Sequence, residues 1–305
     1  MKKTSVIFLI AFIIASSLSY SQDKVKSDVF FCRMDKDKIL MDENPSSDNP
    51  NYNFEERYKK IETLVNKYIG KDKQDEKYYF NKYISTFDGL TGMKMGDVFY
   101  VSTHNKVFKS EIKGYQLYDN VPIGYELNPV LDNRANLTED TVDYNNNIMI
   151  CSKHKNISKI NYKTVSDKEV VAKVTAFLKE YEEKIEYGED IYETVDDQAE
   201  IKVFEANFLN SDKKEYAVSY RKRVAFDKYA SGIFIVSEIG KIAKTVVEFK
   251  TEFNYYMLLG TVDYNGDGQY ELVSESGYYE GIGYDLYQNN NGVFELIATG
   301  FYWGV

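Results

Sequence analysis

Hydrophobic and polar residues change rhythm several times along the chain, and each rhythm predicts an element. Residues 6–18, VIFLIAFIIASSL, are almost wholly apolar, a run too short for a comfortable membrane span. Lys2 and Lys3 precede it and Ser19-Tyr20-Ser21 follows it. This is the layout of a secretory signal peptide, residues 1–21, cleaved after Ser21. The alternative is an uncleaved N-terminal anchor. DVFFCRMDKDKIL, from Asp28, reads as a short strand or ordered lead-in, and residues 44–53 as a polar, turn-rich loop. Phe54, Tyr58, Ile61, Leu64, Val65 and Tyr68 then recur at three- and four-residue spacing. That spacing predicts a helix ending near Gly70. Residues 77–87 fit a second short helix. From Gly96 to Asp119 apolar and polar residues alternate, with breaks near His104-Asn105 and Gly114. This predicts two or three antiparallel strands. Residues 128–147, rich in Asn and Asp, read as a long loop.

The clearest helical pattern spans residues 166–188. Val170, Val174, Phe177, Leu178, Tyr181 and Ile185 form its apolar stripe, and Ser166 with Glu169 matches a capping box. Gly188 stops it. From about residue 198 to the C-terminus the pattern returns to short strands. Within them lies a faint repeat: NFLNSDKKEYAV from Asn207 aligns without gaps on DYNGDGQYELVS from Asp263. Asn207 then falls on Asp263, Asp212 on Gly268 and Glu215 on Glu271. A repeat of about 50 residues suggests stacked or blade-like β units. The expected fold is α+β. A helical and antiparallel β N-terminal domain covers residues 22–160. A helix followed by a β-rich domain covers residues 161–305.

One stretch carries recognisable chemistry. TVDYNGDGQYELV, residues 261–273, places Asp263, Asn265 and Asp267 at alternate positions, then Gly268, Gln269 and Glu271. Calcium is a hard cation that takes six to eight oxygens. Side chains at positions 1, 3 and 5 of a tight loop converge on one point, and Gly at position 6 permits the turn. The carbonyl of Gln269 and the side chain of Glu271 would complete the set. A calcium hand between helices also needs Glu at position 12, where this chain has Ser274, and the flanks read as strands. The simpler alternative is an Asn/Gly/Asp turn whose side chains cap only their own backbone.

The stretch resembles the D-x-N-G-D-G-x-x-E/D-L-V loop of FG-GAP or VCBS-type repeats, closely over residues 261–273 and loosely over 207–305. That loop sits between β-strands in secreted and cell-surface proteins. The resemblance implies calcium held by Asp263, Asn265, Asp267, the Gln269 carbonyl and Glu271. The family builds propellers from many repeats, whereas this chain has one good copy, so an incomplete propeller or a layered sheet is expected. In the earlier copy Leu209 and Ser211 stand at the third and fifth positions, and metal is not expected there.

Composition narrows the partners. The net charge is −10, and loss of residues 1–21 removes Lys2 and Lys3 but no acid, giving −12. That disfavours nucleic acid and anionic membrane surfaces. No segment after residue 21 approaches about 18 apolar residues, so no membrane span is expected in the mature chain. A secreted or periplasmic protein meets an oxidising environment, so Cys32 and Cys151 either pair or lie apart as buried thiols. The two His, His104 and His154, are too few for a His-based zinc site. Cys151 and His154, three apart, read as ordinary strand or loop rather than a thiol nucleophile. Acidic pairs such as Glu182-Glu183 read as a solvated face. The aromatics of 277–287 and of the terminal FYWGV read as strand residues covering the core. Exposed, they would instead offer a platform for sugar rings. The function expected is that of an exported, non-catalytic binding or surface-interaction protein with structural calcium, its ligand a glycan, a protein or a surface component. The alternative is a secreted hydrolase with an acidic active site.

Overall fold

A computed structural model describes residues 28–35, 38–42, 93–120, 124–131, 148–182, 198–225, 228–238, 241–278 and 281–304, with residues 59, 62 and 63. The first strands are β1 (Val29–Asp35), β2 (Lys38–Met41), β3 (Val98–Ser102), β4 (Val107–Asn120), β5 (Gly124–Leu131) and β6 (Met149–Ser152). They pair in the order β1-β2-β5-β4-β3-β6, and β6 returns to β1 to close a barrel. Side chains alternate across each strand. Cys32, Ile39, Met41, Phe99, Val101, Ile112, Leu131, Met149 and Cys151 fill the barrel interior. Val29, Phe31, Ile148 and Ile150 point the other way, onto the next layer. A disulfide joins Cys32 to Cys151 across adjacent β1 and β6, with Cα atoms 6.1 Å apart.

Helix α1 (Lys168–Glu182) follows the barrel. Among the described residues eight strands follow: β7 (Glu200–Glu205), β8 (Tyr216–Ala225), β9 (Lys228–Glu238), β10 (Lys241–Glu252), β11 (Tyr255–Val262), β12 (Glu271–Tyr278), β13 (Gly281–Asn290) and β14 (Val293–Gly304). They form two four-stranded antiparallel meanders, β7–β10 and β11–β14. Val174 and Leu178 of α1 pack on Val203, Val218, Tyr220 and Phe234 of the first meander. The opposite face of that sheet, with Phe204, Ala217, Ile233 and Ile235, packs on Leu258, Leu272 and Tyr287 of the second. The second meander turns Val273, Leu286 and Ile297 onto the barrel. The layers therefore run helix, sheet, sheet, barrel.

The two meanders repeat one plan. Glu205 pairs with Tyr216 as Thr261 pairs with Leu272, and Phe204 with Ala217 as Gly260 with Val273. These pairs lie 56 residues apart, the offset of the ungapped sequence alignment. Corresponding faces also point the same way: Ala217 and Ile235 onto the second sheet, Val273 and Leu286 onto the barrel.

The α+β expectation is overturned. Strands carry the fold, and the N-terminal part described is a β-barrel rather than a helical and β domain. Its closure depends on pairing β1 with β6 across more than a hundred residues, which no local pattern announces. Of the helix expected over 54–70, residues 59, 62 and 63 are helical and the rest lies outside the described residues, as do residues 77–87 and 1–21. The turn at His104-Asn105 separates β3 from β4, but Gly114 does not end a strand; it marks a register shift within β4. Residues 128–131 belong to β5, not to a loop. Helix α1 is capped by Asp167, whose Oδ1 accepts the Glu169 and Val170 amides at 2.9 and 3.3 Å, rather than by Ser166. Ile185 and Gly188 lie outside the described residues. No helix among the described residues is long and apolar enough to cross a membrane.

Candidate functional site

The loop joining β11 to β12 contains Asp263, Asn265, Asp267 and Gln269 of the five residues singled out for calcium, and the fifth, Glu271, follows directly at the start of β12. Gly266 and Gly268 adopt φ of 78° and 85°, the left-handed region where glycine is unstrained. That curl points backbone amides inward. Asp263, 8% exposed, accepts them with both oxygens: Oδ1 from Gly266 and Asp267 at 2.6 and 3.2 Å, Oδ2 from Gly268 at 3.0 Å. Asn265 Oδ1 accepts the Asp267 amide and its Nδ2 donates to Asp267 Oδ2 at 2.8 Å. Asp267 Oδ1 accepts the Gln269 amide at 2.7 Å.

Glu271 opens β12 and is 1% exposed. Its Oε2 accepts the Tyr264 amide at 3.0 Å, and its Oε1 accepts from Gln288 at 3.3 Å. Its pKa is raised to about 8, first by burial and then by the neighbouring Asp267 and Asp263. Those causes outweigh the Tyr264 and Gln288 hydrogen bonds, which act the other way.

Calcium, implied by the resemblance, can be tested against these donors. Every side chain of the set offers oxygen, and the buried Glu271 beside two other carboxylates is the donor chemistry of a hard cation. The carboxylates are nevertheless turned to the loop's own amides. Among the described residues no group of three or more His, Cys, Asp or Glu is placed to hold a metal ion. The residue types fit calcium, while the hydrogen bonding is that of a self-capped turn.

The loop between β7 and β8 explains one part of this pattern. Glu215, also 1% exposed, accepts the Phe208 and Leu209 amides at 2.6 and 2.7 Å, and the Ser211 hydroxyl. Phe208 stands where Tyr264 stands in the second loop. Asn210, at φ 56°, stands where Gly266 stands. The ninth-position glutamate therefore braces both loops, including the one with Leu209 and Ser211 at its third and fifth positions. Glu215→Ala leaves two backbone amides and a hydroxyl without their acceptor, and should cost roughly 2–4 kcal/mol in urea unfolding. Glu215→Gln should lose less, because it keeps an acceptor oxygen.

Elsewhere, Asp285 is 7% exposed and burial raises its pKa to about 6. It lies near Tyr256 and Tyr287 in the core between the meanders. Glu271 lies with Tyr264 on the barrel side. The two raised acids occupy opposite faces of one sheet and do not form the facing pair that glycoside hydrolysis uses. His154 Nε2 contacts Asp28 Oδ2 at 2.7 Å, while Cys151 is in the disulfide, so these two residues form no thiol–imidazole pair. Tyr287 is buried and Tyr284 half-buried. Asp285 escaped sequence reading because its burial depends on a second sheet lying over it.

Comparison with protein-family models, curated proteins and solved structures finds no match.

Proposed function

We propose that the 263–271 loop binds calcium and that the protein is an exported, non-catalytic binding module stabilised by that ion. The observation that carries this reading is Glu271. Its carboxylate is nearly sealed from water, next to Asp263 and Asp267, in a loop rich in oxygen donors. A cation there would relieve both the desolvation and the mutual repulsion. Calcium would supply charge neutralisation and crosslinking, not chemistry. Asp263, Asn265, Asp267, the Gln269 carbonyl and Glu271 would hold it.

A glycan or a protein suits the binding role. Phe253, half-exposed, lines a surface hollow of about 380 Å³ with Lys228, Glu252 and Asn254. An aromatic face with a polar fringe is the chemistry that recognises either ligand.

Thermal melting tests the calcium reading. Free calcium at a hundred times Kd should stabilise the native state by about 2.7 kcal/mol relative to chelator. Asp267→Ala should remove most of that gain and cost no more than about 1 kcal/mol in chelator, where it loses the exposed acceptor of the Gln269 amide. Magnesium should substitute poorly, since it demands tighter octahedral geometry. Equal melting temperatures in calcium and in chelator would leave the loop as a turn only.

A further inference from the structure

We propose that the same loop is a latch that ties the barrel to the meanders, and that it opens locally while the barrel and the meanders stay folded. This goes beyond the calcium reading and does not depend on it, because it rests on what the loop touches outside itself.

The segment between β6 and α1, residues 153–167, carries the chain from barrel to helix, and its first half lies against the loop. Ser158 N donates to the Asp263 carbonyl at 2.8 Å, and Asp263 N donates to Ser158 Oγ at 2.9 Å. Ser152 Oγ donates to the Tyr264 carbonyl at 3.0 Å. Asn161 and Thr261 exchange both backbone hydrogen bonds, at 2.8 and 3.0 Å. The same segment is tied back to the barrel. Ser102 Oγ donates to the Ser158 carbonyl at 2.6 Å, and Ile160 N donates to the Thr103 carbonyl at 3.1 Å. On its far side the loop holds the first meander: Asn207 Nδ2 donates to the Gly268 carbonyl at 3.0 Å, and Tyr270 N donates to the Asn207 carbonyl at 2.8 Å. One turn therefore joins all three β modules through directional bonds. Beneath it the barrel and second sheet meet through side-chain packing, with Gly300 of β14 set close against Phe31 of β1.

The two glycines of the loop allow a clean test. Both have positive φ, so alanine strains the backbone at either. Only at Gly266 does an added Cβ collide with the connecting segment, 2.3 Å from Asn156 Cβ; at Gly268 it meets nothing within 4 Å. Gly268→Ala therefore strains the loop alone, while Gly266→Ala also wedges the latch.

Amide hydrogen exchange on the full chain reads the result, since local opening shows as loss of protection confined to the bonds it breaks. Gly266→Ala should speed exchange about ten-fold more than Gly268→Ala at Ser158, Asn161, Thr261 and Asp263. Amides within the barrel strands and within β8 and β9 should keep their parental rates. Adding Asn156→Gly should recover most of the lost protection. Equal effects of the two alanines would overturn the latch, as would protection lost together throughout the chain, or no recovery with Asn156→Gly. Should Gly266→Ala not fold, Ser158→Ala removes one latch bond and should show the same pattern, at about three-fold. A uniform response to it would overturn the proposal. Failure here leaves the melting test of calcium untouched, and absence of calcium binding leaves this test untouched.

Discussion

Replacing Cys32 and Cys151 together by Ala is expected to lower stability by roughly 4–5 kcal/mol. The bond spans 119 residues, and the chain-entropy gain from a crosslink grows with the loop it closes. It also joins β1 to β6, the pairing that closes the barrel in this structure. Both sulfurs lie in the barrel interior, so the alanines leave unfilled volume as well. Comparing the variant with the reduced parent chain in urea separates the two effects, because reduction keeps the volume. The reduced parent should show most of the loss. A reduced chain within about 1 kcal/mol of the oxidised one would show that the crosslink constrains little.

The second large effect is a dependence on pH set by Glu271. Its pKa lies at about 8 in the folded chain against an ordinary 4.5. Between those values the native state keeps a proton that the unfolded chain has released. Unfolding in that window gives up the proton, so stability is greatest below about pH 4.5 as far as this group is concerned. It is lost as pH rises through 8. The ceiling is roughly 4–5 kcal/mol, and Asp285, raised to about 6, acts in the same direction over a lower window. In chelator, the parent chain should therefore lose stability from pH 5 to pH 8. Glu271→Gln should flatten the upper part of that slope and be the more stable protein at pH 8. Calcium should shrink the parent's slope, since the ion and the proton compete for one carboxylate. Identical slopes for parent and Glu271→Gln would mean that Glu271 is ionised in the native state without cost.

What could be read from the chain divides along the range of the forces involved. The repeat was legible because it is local: an ungapped offset brought Glu215 onto Glu271, and both glutamates brace the second amide of their loops. The stripe of α1 was legible for the same reason, with Val174 and Leu178 buried as its spacing requires. Its cap is ambiguous in sequence because Ser166 and Asp167 both have the right side chain, and only geometry chooses between them. The barrel has no local signature because β1, only seven residues long, pairs with β2 and with the distant β6. Strand register over such separations is set by burial of whole faces, which a linear pattern does not reveal. The disulfide is not legible in sequence for the same reason, since it needs the 6.1 Å approach that barrel closure provides. The loop's residue types pointed to calcium. Their hydrogen bonds to backbone amides, which distinguish a turn from a ligand cage, became visible only in three dimensions.

Calorimetric titration of calcium into the full chain decides whether the 263–271 loop takes up the ion. One calcium per chain is expected at neutral pH, with protons released on binding and the signal lost in Asp267→Ala. No heat and no proton release, in a chain that melts cooperatively, would contradict the calcium reading.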